Sequence, residues 1–193
     1  MSTKTAAVGL KNMHYAKLIK DDETGVEYST PKRLAPAITA NITPTVNSAT
    51  LFADDGPLLT ANALGEITVE IGITDLPFDI QADLLGLKKN SDGVLIDNAD
   101  DQAPEVALGF ERKTATGAVR YVWLLKGRFK LPTEEAKTAA GTPEFQTPTI
   151  SGTFLKRIYD GNWRYRVDSG ETGVKPETIS NWFKKVYSET PTP

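Results

Sequence analysis

The chain has 193 residues, a formal net charge of -3 from 25 acidic and 22 basic side chains, one histidine and no cysteine. The length suits one large domain or two small ones, and the composition excludes disulfides, cysteine zinc sites, thiol catalysis and any histidine cluster for a metal. The slight acidity argues against a protein that grips nucleic acid, because phosphate binding needs clustered lysine and arginine side chains.

The first predicted element is a β-hairpin over residues 10–36. Two strand-like segments flank the acidic turn Asp21-Asp22-Glu23-Thr24-Gly25, whose glycine can take a positive φ. Its apolar alternation is imperfect, so we expect the hairpin to project from the core. His14 lies in its first strand, where the alternatives are a packed side chain and a lone base that titrates near neutral pH.

Residues 44–65 carry Asn, Thr and Ala with only scattered apolar side chains, and they are predicted to form a loop. The pairs Leu51-Phe52 and Leu58-Leu59 bracket the turn-like run Asp54-Asp55-Gly56-Pro57. A compact domain seldom keeps a structureless loop of about 20 residues unless the loop has a function. We therefore expect this loop to contact another molecule.

Alternation with a period of two is clearest from Glu66 to Thr74, where every odd position is apolar and β-branched. This pattern predicts a strand with one buried and one solvated face. A helix is predicted to follow, because Pro77 suits a first helical position and Gly86 suits a helix end.

Three more elements are predicted in the second half of the chain. Residues 105–126 alternate on both sides of a turn at 114–117, which predicts a hairpin. Residues 145–158 and 163–167 alternate around a turn at 160–162, which predicts another. After Pro176 the apolar residues follow the spacing of an amphipathic helix that packs by its aromatic face: Ile179, Trp182, Phe183, Val186 and Tyr187.

No linker or repeat divides the chain, so we expect a single β domain over residues 1–188 and a disordered tail over residues 189–193. The first residues lack the apolar segment of a secretory signal. The longest apolar runs are about four residues, against roughly 18 for a membrane span. We expect no membrane segment, and synthesis in the cytoplasm.

The sequence predicts no catalytic, cofactor-binding or metal-binding residues. The acidic run from Asp97 to Glu105 lacks the glycine and the bidentate glutamate of a calcium loop, so a solvated loop is the simpler interpretation. A weak divalent-ion site, or paired catalytic carboxylates from Asp97, Asp101 and Glu105, are the alternatives. The glycines form no phosphate-binding motif.

A basic row is the nearest approach to a nucleic-acid signal. Lys126, Arg128 and Lys130 alternate along one strand, and basic residues lie beside aromatic ones near Trp163. Such a row could form a platform for stacked single-stranded bases. The alternative is the solvated face of two strands, with acidic cross-strand partners.

Longer runs of sequence resemble a known family. They are Leu64-Gly65-Glu66-Ile67-Thr68-Val69-Glu70, then Leu76-Pro77 with Leu84-Leu85-Gly86, and Gly109-Phe110-Glu111-Arg112-Lys113 with Gly117-Ala118-Val119-Arg120-Tyr121-Val122-Trp123-Leu124-Leu125-Lys126-Gly127-Arg128-Phe129. Together with Val8-Gly9-Leu10-Lys11-Asn12 they resemble the major tail protein of long-tailed phages with non-contractile tails, which also occurs in prophages of Gram-positive bacteria. The resemblance extends to about Gly170.

The resemblance implies a tail tube subunit of the virion. Such a subunit is mainly β, a single β-sandwich or rolled-barrel domain with one flanking helix and, here, a C-terminal amphipathic helix. It assembles into stacked rings, usually hexameric, around a lumen that conducts DNA without binding it specifically. The family has no catalytic residues or cofactors. Its implied partners are further copies of itself and the tape measure, tail terminator and distal tail proteins.

The residues that would serve this function are hypotheses. We expect Leu51, Phe52, Leu58 and Leu59 to contact a neighbouring subunit or ring. We expect an acidic lumen whose carboxylates come from Glu66 and Glu70 or from an Asp-rich turn, because a basic wall would bind the DNA phosphates. The alternative is a β-sandwich carbohydrate- or ligand-binding module of a phage tail fibre.

Overall fold

The computed structural model describes residues 6–134, 137–138 and 145–189. In chain order its elements are β1 (Lys11–Asp22), β2 (Gly25–Tyr28), β3 (Lys32–Arg33), β4 (Ala37–Ala53), β5 (Gly56–Ile73), α1 (Phe78–Leu85), β6 (Lys88–Lys89), β7 (Leu95–Ile96), β8 (Val106–Lys113), β9 (Val119–Phe129), β10 (Thr149–Leu155), β11 (Arg164–Asp168) and α2 (Pro176–Ser180).

One antiparallel sheet dominates the fold. Its strands run in the order β2-β1-β8-β9-β10-β5-β4, with β3 paired to β1 and β11 paired to β9, while β6 and β7 form a separate small hairpin. Within the described residues this sheet is open, and β2 and β4 lie at its two ends. The prediction of a mainly β domain with a flanking helix is confirmed.

The first face of the sheet carries the larger core. Ile67, Val69, Ile71 and Ile73 are fully buried there, as the alternation predicted. Side chains from β1, β8, β9 and β10 join them, and α1 packs on the same cluster through Leu84 and Leu85. The predicted helix is confirmed: Pro77 precedes it, and Gly86 ends it at a φ of 76°, a conformation that favours glycine.

The C-terminal segment covers part of the opposite face, but not as the single helix that its spacing predicted. α2 ends at Ser180, although Trp182 and Val186 are buried and Phe183 and Tyr187 pack beside them. The indole Nε1–H of Trp123 donates a 2.9 Å hydrogen bond to the carbonyl of Trp182. This hydrogen bond and the packing of Trp182 and Val186 hold the segment against the sheet beyond the end of α2.

The predicted loop at residues 44–65 is wrong: these residues belong to one long hairpin. β4 and β5 pair from Ala37 with Ile73 to Ala53 with Gly56. The turn is Asp54-Asp55, with φ values of 51° and 59° that aspartate tolerates better than most residues. The pattern was misleading because both faces of the distal half are exposed, so apolar and polar residues need not alternate.

Two hairpin predictions need correction, and one is confirmed. β8 and β9 form the hairpin predicted at residues 105–126. β10 and β11 are strands as predicted, but they pair with successive parts of β9 rather than with each other. The first hairpin forms as predicted, because β1 pairs with β2 across the turn between Asp22 and Gly25. It does not project from the core, because Met13, Tyr15 and Ala16 of β1 are buried.

The predicted C-terminal tail lies mostly outside the described residues. These residues stop at 189, so the domain boundary at 188 stays a prediction. In the described part of the chain, no helix is long and apolar enough to cross a membrane.

Candidate functional site

The distal half of the β4–β5 hairpin, residues 46–64, stands apart from the sheet; we call it the distal ribbon. β10 pairs with β5 only over Ile67–Gly72, so in the described residues the ribbon strands pair only with each other. Residues 46–53 of β4 and 56–64 of β5 extend the hairpin by about 27 Å. A two-stranded ribbon is only marginally stable in water, so contact with another molecule would stabilise this one.

Both faces of the ribbon tip carry large exposed apolar side chains. Leu51 pairs with Leu59, beside Ala49 and Ala61. Phe52 follows Leu51 in β4 and so faces the other way. All four predicted contact residues are exposed, by 58% to 69%: Leu51, Phe52, Leu58 and Leu59. Covering them would stabilise a contact by on the order of 5 kcal/mol per copy.

Polar pairs occupy the stem of the ribbon. The hydroxyl of Ser48 donates to Asn62 at 2.7 Å, and the hydroxyls of Thr50 and Thr60 lie 3.5 Å apart across the strands. These cross-strand hydrogen bonds hold the two strands in register without a core beneath them. The ribbon therefore presents its apolar tip as an ordered surface.

The outer edge of β4 is a second candidate contact. β4 is 17 residues long and, in the described residues, pairs with β5 alone. Its free edge exposes backbone N–H and C=O groups that another strand can pair with. β2, only four residues long, ends the sheet on the other side.

Glu66 and Glu70 lie on the exposed face of β5, where they alternate with buried isoleucine and valine. Glu70 lies between Asn41 and Ser151, and two residues before it Thr68 lies between Thr43 and Thr153. The structure therefore places both predicted acidic residues on one solvated face, where carboxylate, amide and hydroxyl groups are followed on β9 by the guanidinium of Arg128, the cross-strand partner of Thr153.

Acidic side chains neutralise much of the basic row. The Nζ of Lys126 donates to Asp21 at 2.7 Å, and Arg128 lies 3.5 Å from Glu105. Burial raises the pKa of Asp21, but hydrogen bonds from the Ile158 N–H and from Lys126 outweigh it, and the net pKa is lowered. These pairings favour the solvated-face interpretation over a platform for bases.

A buried ionic cluster fixes the crossover from β10 to β11. The guanidinium of Arg157 pairs with Asp160 and donates to the hydroxyl of Tyr165 at 3.0 Å. The Arg157 side chain is fully buried. Burial lowers the pKa of Arg157, but its partners outweigh that effect and raise it. This cluster lies in the connection between β10 and β11, which follow each other along β9.

The remaining chemical candidates have structural roles. His14 stacks on Phe183 with 4.5 Å between ring centroids, and its Nδ1 lies 2.7 Å from the carbonyl of Asn12, as expected of a packed side chain. Asp101 accepts from the N–H of Asn98 within its own turn. Among the described residues, no group of three histidine or acidic side chains could hold a metal ion.

The structure disfavours sugar binding through the tryptophans, because Trp123 and Trp182 are buried. Trp163 is half-buried under the guanidinium of Arg164, 4.1 Å above the ring. A stacking platform for a glycan needs exposed aromatic faces. The fibre-module alternative therefore has no support in the described residues.

Comparison with known proteins points to one family. A family model described as phage tail tube protein matches residues 4–187, nearly the whole chain. No curated protein matches the chain.

Proposed function

The chain belongs to the phage tail tube protein family, and we propose that its copies join through the distal ribbon into hexameric rings that stack as a DNA-conducting tube. As a family member it is a structural component of the virion tail that self-associates. The proposal adds the ring number, the contacting surface and the passage of DNA. Assembly in the host cytoplasm, and contacts with tape measure, tail terminator and distal tail proteins, belong to the same proposal.

The observation that carries the proposal is the apolar tip of the ribbon. Leu51, Phe52, Leu58 and Leu59 are exposed on a two-stranded extension that contacts nothing else in the described residues. An isolated monomer gains nothing from such an extension, since exposed apolar patches mark contact sites. A neighbouring subunit that covers both faces would stabilise the ribbon and the ring together.

The positions of the sheet ends support a closed ring. The hairpin leaves the sheet at the β4 end, and β2 lies at the other end. A head-to-tail contact between two different surfaces of the same chain generates a ring when the rotation closes. The topology therefore suits a cyclic assembly better than a two-fold dimer.

We propose that the face carrying Glu66 and Glu70 lines the lumen. Six copies at -3 each give a formal charge of -18 per ring. Arg128 continues this face on β9, but it lies 3.5 Å from Glu105. The acidic and hydroxyl groups offer few of the phosphate contacts that unpaired Lys and Arg would make, so DNA would slide in an aqueous film. No specific binding to DNA is expected, and no catalytic role is needed.

Negative-stain microscopy of the purified chain at high concentration tests the proposal. We expect hollow rods of uniform diameter with a ring repeat. A glycan-binding module would stay monomeric or trimeric under the same conditions. A chain that remains monomeric at high concentration would contradict a tube assembled from this protein alone.

A further inference from the structure

We propose that the acidic turn of the ribbon docks into a lysine-rimmed groove on a second copy of this chain. The groove lies between β2 with the residues that follow it and the C-terminal segment, and we call it the β2 groove. This inference rests on the proposed function, because it names the surface that receives the ribbon tip.

The β2 groove has a mixed lining of apolar and hydroxyl side chains and a basic rim. Its volume is about 260 Å³, and its lining includes Val26, Tyr28, Pro31 and Val186. Lys184 and Lys185 border it, and both are exposed. The groove is thus wide enough for a large apolar side chain, with cations at its mouth.

In the described part of the chain, neither Lys184 nor Lys185 forms an ion pair with a carboxylate. Lys17, Lys89 and Lys126 each do. Glu27 is the acidic side chain of the lining, which leaves the groove with a formal charge of +1. An acidic ligand would complete its charge balance.

The ribbon supplies the complementary chemistry. Between residues 37 and 65 the charged side chains are Asp54 and Asp55, which stand together at the tip. Both are exposed, and neither pairs with a cation among the described residues. Phe52, beside the turn, is 69% exposed. A ribbon tip therefore offers two carboxylates and one aromatic ring to a groove with two ammonium groups and four apolar lining residues.

The positions of the two surfaces permit the contact. The ribbon extends from the β4 end of the sheet, and the groove runs along β2 at the opposite end. One copy can therefore give its tip to a neighbour while its own groove stays free for the next copy. Such a contact between unlike surfaces repeats around a ring.

Charge reversal tests the pairing in the full-length chain. Lys184→Glu with Lys185→Glu, or Asp54→Lys with Asp55→Lys, should raise the protein concentration needed for assembly about tenfold or more, because like charges then face each other. The variant with all four substitutions should recover most of that loss. Lys88→Glu with Lys175→Glu, which reverses two exposed lysines outside the groove, is the matched control and should assemble normally.

A disulfide between two introduced cysteines tests directly whether the ribbon tip lies in the groove of a neighbour, because the natural chain has no cysteine that would compete. Ala53→Cys at the tip and Ser188→Cys in the groove are mixed and oxidised under assembly conditions. We expect a disulfide-linked dimer from this pair and none when Ala99→Cys, on an exposed loop outside the groove, replaces Ser188→Cys.

The outcomes separate the two proposals. Rods that form without the tip-to-groove disulfide, and without rescue by the fourfold charge swap, would overturn the docking proposal and leave the tube function intact. Failure of the unsubstituted chain to form rods or rings would contradict the proposed function and the docking with it. A rescued swap together with the disulfide supports both.

Discussion

Tyr15 donates a 2.9 Å hydrogen bond from its hydroxyl to the carboxylate of Asp83, which ties the buried strand β1 to helix α1. Lys17 and Lys32 also donate to Asp83, at 2.7 and 2.6 Å. Burial raises the pKa of Asp83, but these hydrogen bonds outweigh it and lower the pKa to about 2. The helix that flanks the sheet is therefore held by a charged contact as well as by Leu84 and Leu85.

Stability should fall in acid through this contact. An aspartate in the unfolded chain titrates near 3.9, so a folded pKa of about 2 means that the unfolded state takes up protons first. The contribution is complete above about pH 4 and is lost as the pH falls through 2; after allowance for solvent screening it is roughly 1–2 kcal/mol.

Urea unfolding from pH 6 to pH 2.5 checks this expectation with Asp83→Asn as the comparison. The variant should be less stable at pH 6 and should lose less stability on acidification than the natural chain. Parallel curves for the two proteins would show that Asp83 does not carry the acid dependence. Asp92→Asn, at an exposed turn, is the control and should follow the natural chain.

The hydrogen bond from Trp123 to Trp182 should anchor the C-terminal segment. Trp123→Phe removes the indole donor and leaves a cavity at a fully buried position, so we expect a loss of about 2–4 kcal/mol in the free energy of unfolding. Trp163→Phe, at a half-buried position, should cost much less. Equal costs for the two variants would contradict the anchoring role.

Charge at the ribbon tip should block assembly without unfolding the chain. Leu58→Asp with Leu59→Asp places carboxylates on an exposed surface, so circular dichroism and the melting temperature should stay those of the natural chain while rods disappear. Val94→Asp with Ile96→Asp, exposed apolar residues outside the ribbon, is the control that should still assemble. If the ribbon variant unfolds instead, the tip belongs to the core of the monomer.

Reversal of the charge on the proposed lumen face should make the tubes bind DNA. Glu66→Lys with Glu70→Lys should still form rods, which should now retain double-stranded DNA at low salt and release it as salt rises. Glu66→Gln with Glu70→Gln should retain little. DNA binding to the outside of the rods alone would show that these residues do not face the channel.

The sequence predicted the elements whose two faces differ and missed those whose faces are alike. Ile67, Val69 and Ile71 alternate with polar residues because one face of β5 is buried, and this alternation predicts the strand. From Leu58 to Leu64 both faces of β5 are exposed, so apolar and polar residues do not alternate there and the pattern predicts no strand. The acidic pair Asp54-Asp55, which forms the turn, was the signal that could have revealed the hairpin, because aspartate tolerates the positive φ of a two-residue turn better than most residues.

The pairing of β10 and β11 and the length of α2 were predicted wrongly for a different reason. β10 and β11 both pair with β9, and the segment between them holds the buried Arg157 and its partner Asp160, which look like part of an ordinary turn in the sequence. The spacing of Trp182 and Val186 correctly placed both against the sheet, but it could not show that Trp123 donates a hydrogen bond to the Trp182 carbonyl. Tertiary hydrogen bonds form at both places, and local propensity does not reveal them.

A cryo-EM reconstruction of the assembled protein tests the account most directly. We expect rings in which Leu51 and Leu59 of each distal ribbon are buried against a neighbouring copy, with Glu66 and Glu70 on the channel wall. A tube in which the ribbon tips face solvent, around a channel lined by lysine and arginine, would contradict it.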